Sequence, residues 1–146
     1  MKWIDEIVTG LIENIGSNKL DDILSELKIH KLIVSPDNSL LQGNQAVYQR
    51  IGDFECIYIS DDVLNKDFVI AHEIGHAILH VDEMMMFYNP LLNKGKLENE
   101  ANYFACKLLY NDLEIEEGIE TTYELANLLG VNEKMIEYVI KKEKHV

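Results

Sequence analysis

The sequence has few cysteines, few basic residues and no long apolar run, and each shortage excludes a class of protein. Cys56 and Cys106 are far apart and form no CxxC pair, which argues against a disulfide framework and predicts two buried, apolar thiols. No apolar stretch approaches the roughly 18 to 20 residues that span a bilayer. The 13 basic residues, with Arg50 the sole arginine, are outnumbered by 26 acidic ones. The net charge of −13 repels phosphate and suits a basic or hydrophobic polypeptide partner better than nucleic acid.

The first residues of the chain predict a cytoplasmic protein. Their apolar positions fall at helical spacing and are interrupted by acidic side chains, which is not the pattern of a secretory signal. The whole chain has 146 residues, of which 47% are hydrophobic and 27% charged. This length and composition are typical of one globular domain with its own core.

The spacing of apolar residues predicts an α+β fold, with a small antiparallel sheet early and a mostly helical C-terminal half. Two helices are expected first, over residues 3–15 and from about Lys19. Three strands are expected next, in KLIVS, QAVYQRI and FECIYIS, with a hairpin turn at Gly52-Asp53 between the last two. A helix follows from about Asp67 to His80. The later sequence predicts a loop in DEMMMFYNPLLNKGK, a helix from about Leu97 and two short helices around Gly130.

The helix that contains VIAHEIGHAILHV carries a pattern of metal-ligating residues. His72 and His76 are four residues apart, so their side chains point within about 40° of each other and lie roughly 6 Å apart along the axis. Two imidazole nitrogens at this spacing can bind one ion, while Glu73 on the flank can sit beside a water. Chance alone would produce about 0.02 such HExxH patterns in a chain of this composition. Gly75, inside the helix, indicates the close approach of another backbone.

His80 continues the same four-residue spacing, but it turns some 80° away from His72. A long-spacer HExxHxxGxxH site needs a histidine at position 82, where this sequence has Asp82. We therefore interpret His80 as a residue of the pocket wall, as a residue that supports a ligand, or as a histidine favoured by the C-terminal helix dipole.

A third ligand is expected on the downstream helix, in LENEANYFA. Glu98 and Asn102 are four residues apart and share a helix face, whereas Glu100 points away from them. Glu98 as a ligand, with Asn102 orienting a liganding imidazole, is a common arrangement around metals. Alternatively, Glu98 and Glu100 are solvated charges of a first helical turn.

These residues carry a resemblance to a known family. The segment HEIGHAILH, followed some twenty residues later by ENEANYFACKLL, resembles the ImmA/IrrE metallopeptidases of bacteria, phages and integrated mobile elements. The resemblance covers about residues 29–130. It implies a zincin-like active-site helix with His72, His76 and Glu98 as Zn²⁺ ligands and Glu73 as the catalytic base. The sequence departs from the family at LLYND, where members often have an LLMP-like ending, which leaves the following loop uncertain.

The resemblance implies a zinc-dependent endopeptidase that cleaves a partner protein, with a helix-turn-helix repressor of a phage or mobile element as the expected substrate. Glu73 would take a proton from water and deliver it to the leaving amine. We expect one metallopeptidase domain over 1–146, with N-terminal helices over 1–28, a catalytic core over 29–111 and a C-terminal helical segment over 112–146. The oligomeric state is not predicted.

Two other interpretations compete with the peptidase. The segment YELANLLGVNEKMIEYVI has the form of a helix-turn-helix, but it contains no arginine and the net charge opposes direct nucleic-acid binding. A metal-containing binding or toxin-like module that sequesters a regulator without cleaving it also fits the sequence.

The substrate-binding residues are less defined. An extended substrate is expected to add as a strand beside FECIYIS. Tyr58, Tyr88, Tyr103 and His80 are the candidates for stabilising an oxyanion, although packing explains each of them as well. The run from Met84 to Tyr88 fits either a hydrophobic wall of the substrate site or core packing under a loop.

Overall fold

The computed structural model describes residues 1–80, 94–111 and 121–140. Within these ranges the chain forms helices around a three-stranded sheet, which confirms the α+β prediction. The helices are α1 (Lys2–Ile15), α2 (Leu20–Leu27), α3 (Lys66–Leu79), α4 (Lys94–Tyr110), α5 (Thr122–Leu129) and α6 (Ile136–Ile140). The strands are β1 (Ile29–Val34), β2 (Ala46–Ile51) and β3 (Phe54–Ser60). Short 3₁₀ turns occupy Ser39–Leu41 and Glu133–Met135.

The sheet is mixed, and this corrects the prediction of an antiparallel sheet. The strand order is β1-β3-β2; β2 pairs antiparallel with β3, but β1 pairs parallel with it. The predicted hairpin is confirmed, because Ile51 pairs with Phe54 across the two-residue turn and Gly52 adopts a positive φ of 59°. The connection over 35–45 carries the chain from β1 past β3 to the other edge of β3. There β2 runs in the direction opposite to both β1 and β3.

The order of the strands also corrects the expected substrate edge. Because β3, which contains FECIYIS, is the central strand, neither of its edges is free; among the described strands, the outer edges belong to β1 and β2. Central placement explains why the second half of β3, from Cys56 to Ser60, is buried throughout.

The main core lies between the sheet and helices α1, α3 and α4. Its fully buried side chains include Ile4, Ile57, Ile74 and Phe104. Helices α3 and α4 pack closely at Gly75: a Cβ added there would lie 3.1 Å from Phe104 Cδ1 and 3.3 Å from the Ala101 Cα. The predicted close approach of another backbone at Gly75 is therefore confirmed.

The structure also bears on the predictions for the two cysteines, the start of α4 and the break at Gly130. Cys56 and Cys106 are both buried free thiols, as predicted. Helix α4 begins at Lys94, about one turn before the predicted start at Leu97, so residues 94–96 at the end of the expected loop are helical. Gly130 ends α5 in the left-handed conformation and separates it from α6, as expected. None of the described helices is both long and apolar enough to cross a membrane.

The division into segments over 1–28, 29–111 and 112–146 stays a prediction. The expected loop between α3 and α4, with Met84 to Tyr88 and Asp82, lies outside the described residues.

Candidate metal centre

Helix α3 positions the two predicted histidine ligands. Asn65 caps its N-terminus, where the side-chain oxygen accepts a hydrogen bond from the Phe68 N–H at 3.3 Å, and Asp67 lies in the first turn as expected. The helix then runs to Leu79 against the sheet and α4. His72 and His76 consequently lie one turn apart, with their ring centroids separated by 4.7 Å.

Helix α4 brings Glu98 to these two rings. Glu98 Oε1 lies 2.8 Å from His76 Nε2, and Glu98 Oε2 lies 3.1 Å from His72 Nε2. The two Nε2 atoms are themselves 3.1 Å apart. Among the described residues, these three form the one group of histidine, cysteine or carboxylate side chains whose atoms converge closely enough to hold a metal ion.

The donor set fits a small divalent ion. Three donors placed tetrahedrally at about 2.0 to 2.1 Å from one ion lie about 3.3 to 3.4 Å apart. The observed separations of 2.8 to 3.1 Å are shorter than this, and the two nitrogen–oxygen distances involve different oxygens of Glu98. Binding of one ion would therefore require rotations of the rings and of the carboxylate. Two imidazoles and one carboxylate that border a cleft are the kind of donor set found in catalytic rather than structural zinc sites.

The charges at the centre are coupled. Hydrogen bonds from His72 and His76 hold the pKa of the Glu98 carboxyl well below its usual range, against the opposing effect of burial. Burial lowers the pKa of His72, but its hydrogen bond to Glu98 and the nearby carboxylates of Glu73 and Glu98 outweigh that effect and raise it overall. The carboxylate is therefore ionised and available as a ligand.

Asn102 holds the His72 ring from behind. Its side-chain oxygen lies 2.7 Å from His72 Nδ1, so the ring N–H donates to the amide oxygen. In the neutral ring this hydrogen bond keeps the proton on Nδ1, so that Nε2 can bind a metal instead of donating to Glu98. Asn102 occupies the position on the Glu98 face of α4 that the four-residue spacing predicts.

Glu73 lies beside the three donors without joining them. Its Oε2 accepts a hydrogen bond from the Tyr48 backbone N–H at 3.1 Å, which ties the carboxylate to strand β2. Burial raises the pKa of Glu73, while positive charge on His72 and His76 would lower it. A carboxylate with a raised pKa is suited to accept a proton at neutral pH and to return it.

Two cavities, of about 790 and 420 Å³, adjoin the candidate metal donors. Both are bordered by His72, Glu73 and Glu98 and by Asn44 and Ala46 at the start of β2, so they form one cleft across the donors. The larger cavity also touches 130–132, after helix α5, and the smaller one follows β2 to Gln49.

The oxyanion candidates lie away from this cleft, insofar as they are described. Tyr58 packs with Cys56 and Leu41 in a small cluster, and the Tyr103 hydroxyl donates to Asp5 at 2.7 Å. His80 is 2% exposed and lies behind His76. These three border neither cavity. Tyr88 lies outside the described residues.

Several residues near the centre were not found from the sequence. The backbone N–H of Tyr48 and the wall at 130–132 carry no local signal, because tertiary packing alone brings them to the cleft. Glu100, in contrast, contacts His80 and was predicted only to point away from Glu98. A usable signal existed: Leu97, Glu100 and Phe104 form one helical stripe, and a carboxylate on an apolar stripe needs a buried partner.

The chain is similar in sequence to known proteins. Residues 28–141 match the Peptidase_M78 family, described as the IrrE N-terminal-like domain. The chain is 31% identical over 122 residues to metallopeptidase ImmA of Bacillus subtilis (strain 168), which covers 81% of this chain and 69% of ImmA. It is 35% identical over 69 residues to uncharacterized immunity region protein 2 of Bacillus phage phi105, which covers 46% of this chain and 44% of that protein. No solved structure is significantly similar.

The family match spans both helices that supply the metal donors, and the similarity to ImmA extends over most of the chain. The candidate site is a group of side chains that could hold the metal of such an enzyme. The chain therefore belongs to the Peptidase_M78 family, that of ImmA and IrrE, and is a metallopeptidase of phage or mobile-element type.

Proposed function

We propose that the protein is a zinc-dependent endopeptidase whose substrate is a helix-turn-helix repressor of a phage or mobile element. The observation that carries this proposal is the convergence of His72, His76 and Glu98, with donor separations of 2.8 to 3.1 Å and Glu73 alongside. In this proposal the first three bind Zn²⁺, and Glu73 is the catalytic residue. Two nitrogen donors and one carboxylate favour zinc over magnesium or calcium, which prefer all-oxygen sites.

The residues of the chain divide the work of hydrolysis between them. When bound, zinc supplies a Lewis acid that lowers the pKa of water and polarises a carbonyl. Glu73 takes the proton from the attacking water and later gives it to the leaving amine. The Tyr48 N–H keeps the Glu73 carboxylate in place during both transfers, because it holds one of the two carboxylate oxygens. Asn102 keeps the Nε2 lone pair of His72 on the metal side of the ring.

The substrate binds along β2 in this proposal. Among the described strands, β2 is an outer strand of the sheet. The Gln45 carbonyl, just before β2, accepts a hydrogen bond from the Ser60 N–H of β3. Along β2, backbone groups that point towards β3 therefore alternate with outward groups that point away from it, beginning with Ala46. The outward groups of Ala46 and Tyr48 lie at the cleft, and the Tyr48 N–H is used by Glu73. An extended peptide added to this edge would cross the metal donors and occupy both cavities.

A repressor is the partner best suited to the charge of the chain and to its relatives. The net charge of −13 attracts basic proteins, and proteins that bind DNA carry basic surfaces. The names of the two relatives refer to a metallopeptidase and to a phage immunity region. A repressor acts on DNA, so this reaction would take place in the cytoplasm. Contact with DNA itself forms no part of the proposal.

The test is incubation of the zinc-loaded protein with the repressor encoded by the same mobile element, followed by mass spectrometry of the fragments. We expect one cut in the repressor, and no cut with Glu73→Gln, which should retain one zinc per chain because Glu73 is not a ligand. Glu26→Gln, at an exposed position of α2, is the matched control and should cut normally. A stable complex with an uncut repressor would overturn the peptidase proposal in favour of sequestration.

A further inference from the structure

A buried histidine and a buried carboxylate lie behind the candidate metal centre. His80 is 2% exposed and Glu100 is 7% exposed, and neither borders the two cavities that flank the metal donors. Burying these polar groups is costly unless they make specific hydrogen bonds. Their contacts connect them to one of the proposed ligands.

The contacts form a chain that begins at a ligand. His76 Nδ1 lies 2.9 Å from His80 Nδ1, and His80 Nε2 lies 3.2 Å from Glu100 Oε1. His76 Nε2, at the other side of its ring, is the atom that lies 2.8 Å from Glu98. Helix α4 thus provides Glu98 on the metal side of His76 and Glu100 at the far end of the chain behind it.

The direction of each hydrogen bond follows from metal binding. A neutral imidazole that binds a metal through Nε2 carries its proton on Nδ1, so His76 donates to His80 Nδ1. Because His80 Nδ1 is then an acceptor, the proton of that ring is on Nε2, where it donates to the Glu100 carboxylate. One arrangement of protons satisfies all four atoms.

We propose that His80 and Glu100 are positioning residues that hold the His76 ring in the tautomer and orientation needed for metal binding; this rests on the proposed zinc site. Asn102 does the same for His72 by a direct hydrogen bond. The partner of His76 Nδ1 is His80 Nδ1 rather than a side chain of α4. His80 bridges the distance between the ring of His76 and the carboxylate on α4. Partners of this kind change metal affinity by about 10- to 100-fold when they are removed.

The first experiment compares zinc dissociation constants, measured by competition with a chromogenic chelator. Glu100→Leu removes the acceptor, and we expect its zinc dissociation constant to rise about 10- to 100-fold. Glu100→Gln should lose less affinity, because its amide oxygen can still accept from His80 Nε2. Tyr103→Phe is the matched control: it deletes a part-buried hydrogen bond of α4, to Asp5, away from the metal donors. Its zinc affinity should stay that of the wild type.

The outcomes separate this inference from the proposed function. Wild-type zinc affinity in Glu100→Leu, or an equal loss in Tyr103→Phe, would overturn the positioning role while leaving the zinc site intact. Failure of the wild-type protein to bind zinc would instead overturn the proposed function and this inference with it. Urea unfolding of the metal-free variants shows whether any change in affinity merely follows a change in stability.

A second measurement uses the zinc-loaded wild-type chain and does not depend on the folding of a variant. Long-range ¹H–¹⁵N spectra of the imidazole rings report which ring nitrogen carries each proton. We expect His76 to be protonated on Nδ1 and His80 on Nε2. A proton on Nδ1 of His80 would reverse the hydrogen bonds and refute the proposed chain.

Discussion

Replacing Gly75 by alanine tests whether the contact between α3 and α4 is as tight as the structure indicates. The added methyl group would lie 3.1 Å from Phe104 Cδ1, 3.3 Å from the Ala101 Cα and 3.3 Å from the Ala101 carbonyl oxygen. The Phe104 ring is fully buried, and the two Ala101 atoms are backbone. Accommodation therefore requires the two helices to separate by a few tenths of an ångström.

Two opposing terms set the size of this effect. Alanine is a better helix former than glycine by about 1 kcal/mol, which favours the variant. Overpacking a well-packed interface costs about 1 to 3 kcal/mol, which opposes it. We expect the packing cost to exceed the gain, so that Gly75→Ala lowers the free energy of unfolding by up to about 2 kcal/mol.

Gly10 provides a matched control for the helix term. It lies inside α1, and a Cβ added there would meet no atom within 4 Å. Gly10→Ala should therefore raise the free energy of unfolding by about 1 kcal/mol. Because helix propensity is common to both variants, the difference between them isolates the packing cost at Gly75.

The assay is urea unfolding of the metal-free proteins, followed by circular dichroism. The zinc dissociation constant should also rise for Gly75→Ala alone, because the donors lie on both helices and separation of the helices moves Glu98 away from the histidines. If Gly75→Ala were as stabilising as Gly10→Ala, the inferred tightness of the interface would be refuted.

Two further predictions concern the α3 cap and the thiols. Asn65→Ala should lower the free energy of unfolding by about 2 kcal/mol in urea unfolding, because Asn65 caps α3 and donates to the Leu129 and Gly130 carbonyls. Asn65→Asp keeps the cap acceptor but turns a carboxylate oxygen towards the Leu129 and Gly130 carbonyls, so it should also lower the free energy of unfolding. Wild-type stability in either variant would contradict this account. Iodoacetamide at pH 8 should leave Cys106 unmodified by mass spectrometry until the chain is denatured, because burial raises its pKa to about 12. Rapid modification of the native chain would disprove this.

Much of the fold could be predicted because its signals are local. Helix α3 combines helical spacing with acidic and amide residues at its start, and the Gly52-Asp53 turn fixes the pairing of β2 with β3. The orientation of β1 could not be predicted, since the connection over 35–45 allows either direction and the choice depends on packing against the rest of the domain.

The same distinction between local signals and tertiary packing applies to the residues of the site. The four-residue spacings that place His76 beside His72, and Asn102 beside Glu98, are fixed by helix geometry and need no tertiary information. The contact of Glu100 with His80 depends on how α4 crosses α3, which one sequence does not specify. The position of the Tyr48 N–H beside Glu73 likewise depends on how the sheet packs against α3.

Residues 130–132, which line the larger cavity, belong to a different part of the chain from the proposed metal and catalytic residues. All the proposed metal and catalytic residues lie on α3 and α4, whereas this segment follows α5 and is held to the start of α3 by the side chain of Asn65. Substitutions at 131 and 132 can therefore reshape the cleft while the metal donors keep their positions. In the proposed function, such substitutions would change which target protein fits the cleft without altering the residues proposed for the chemistry.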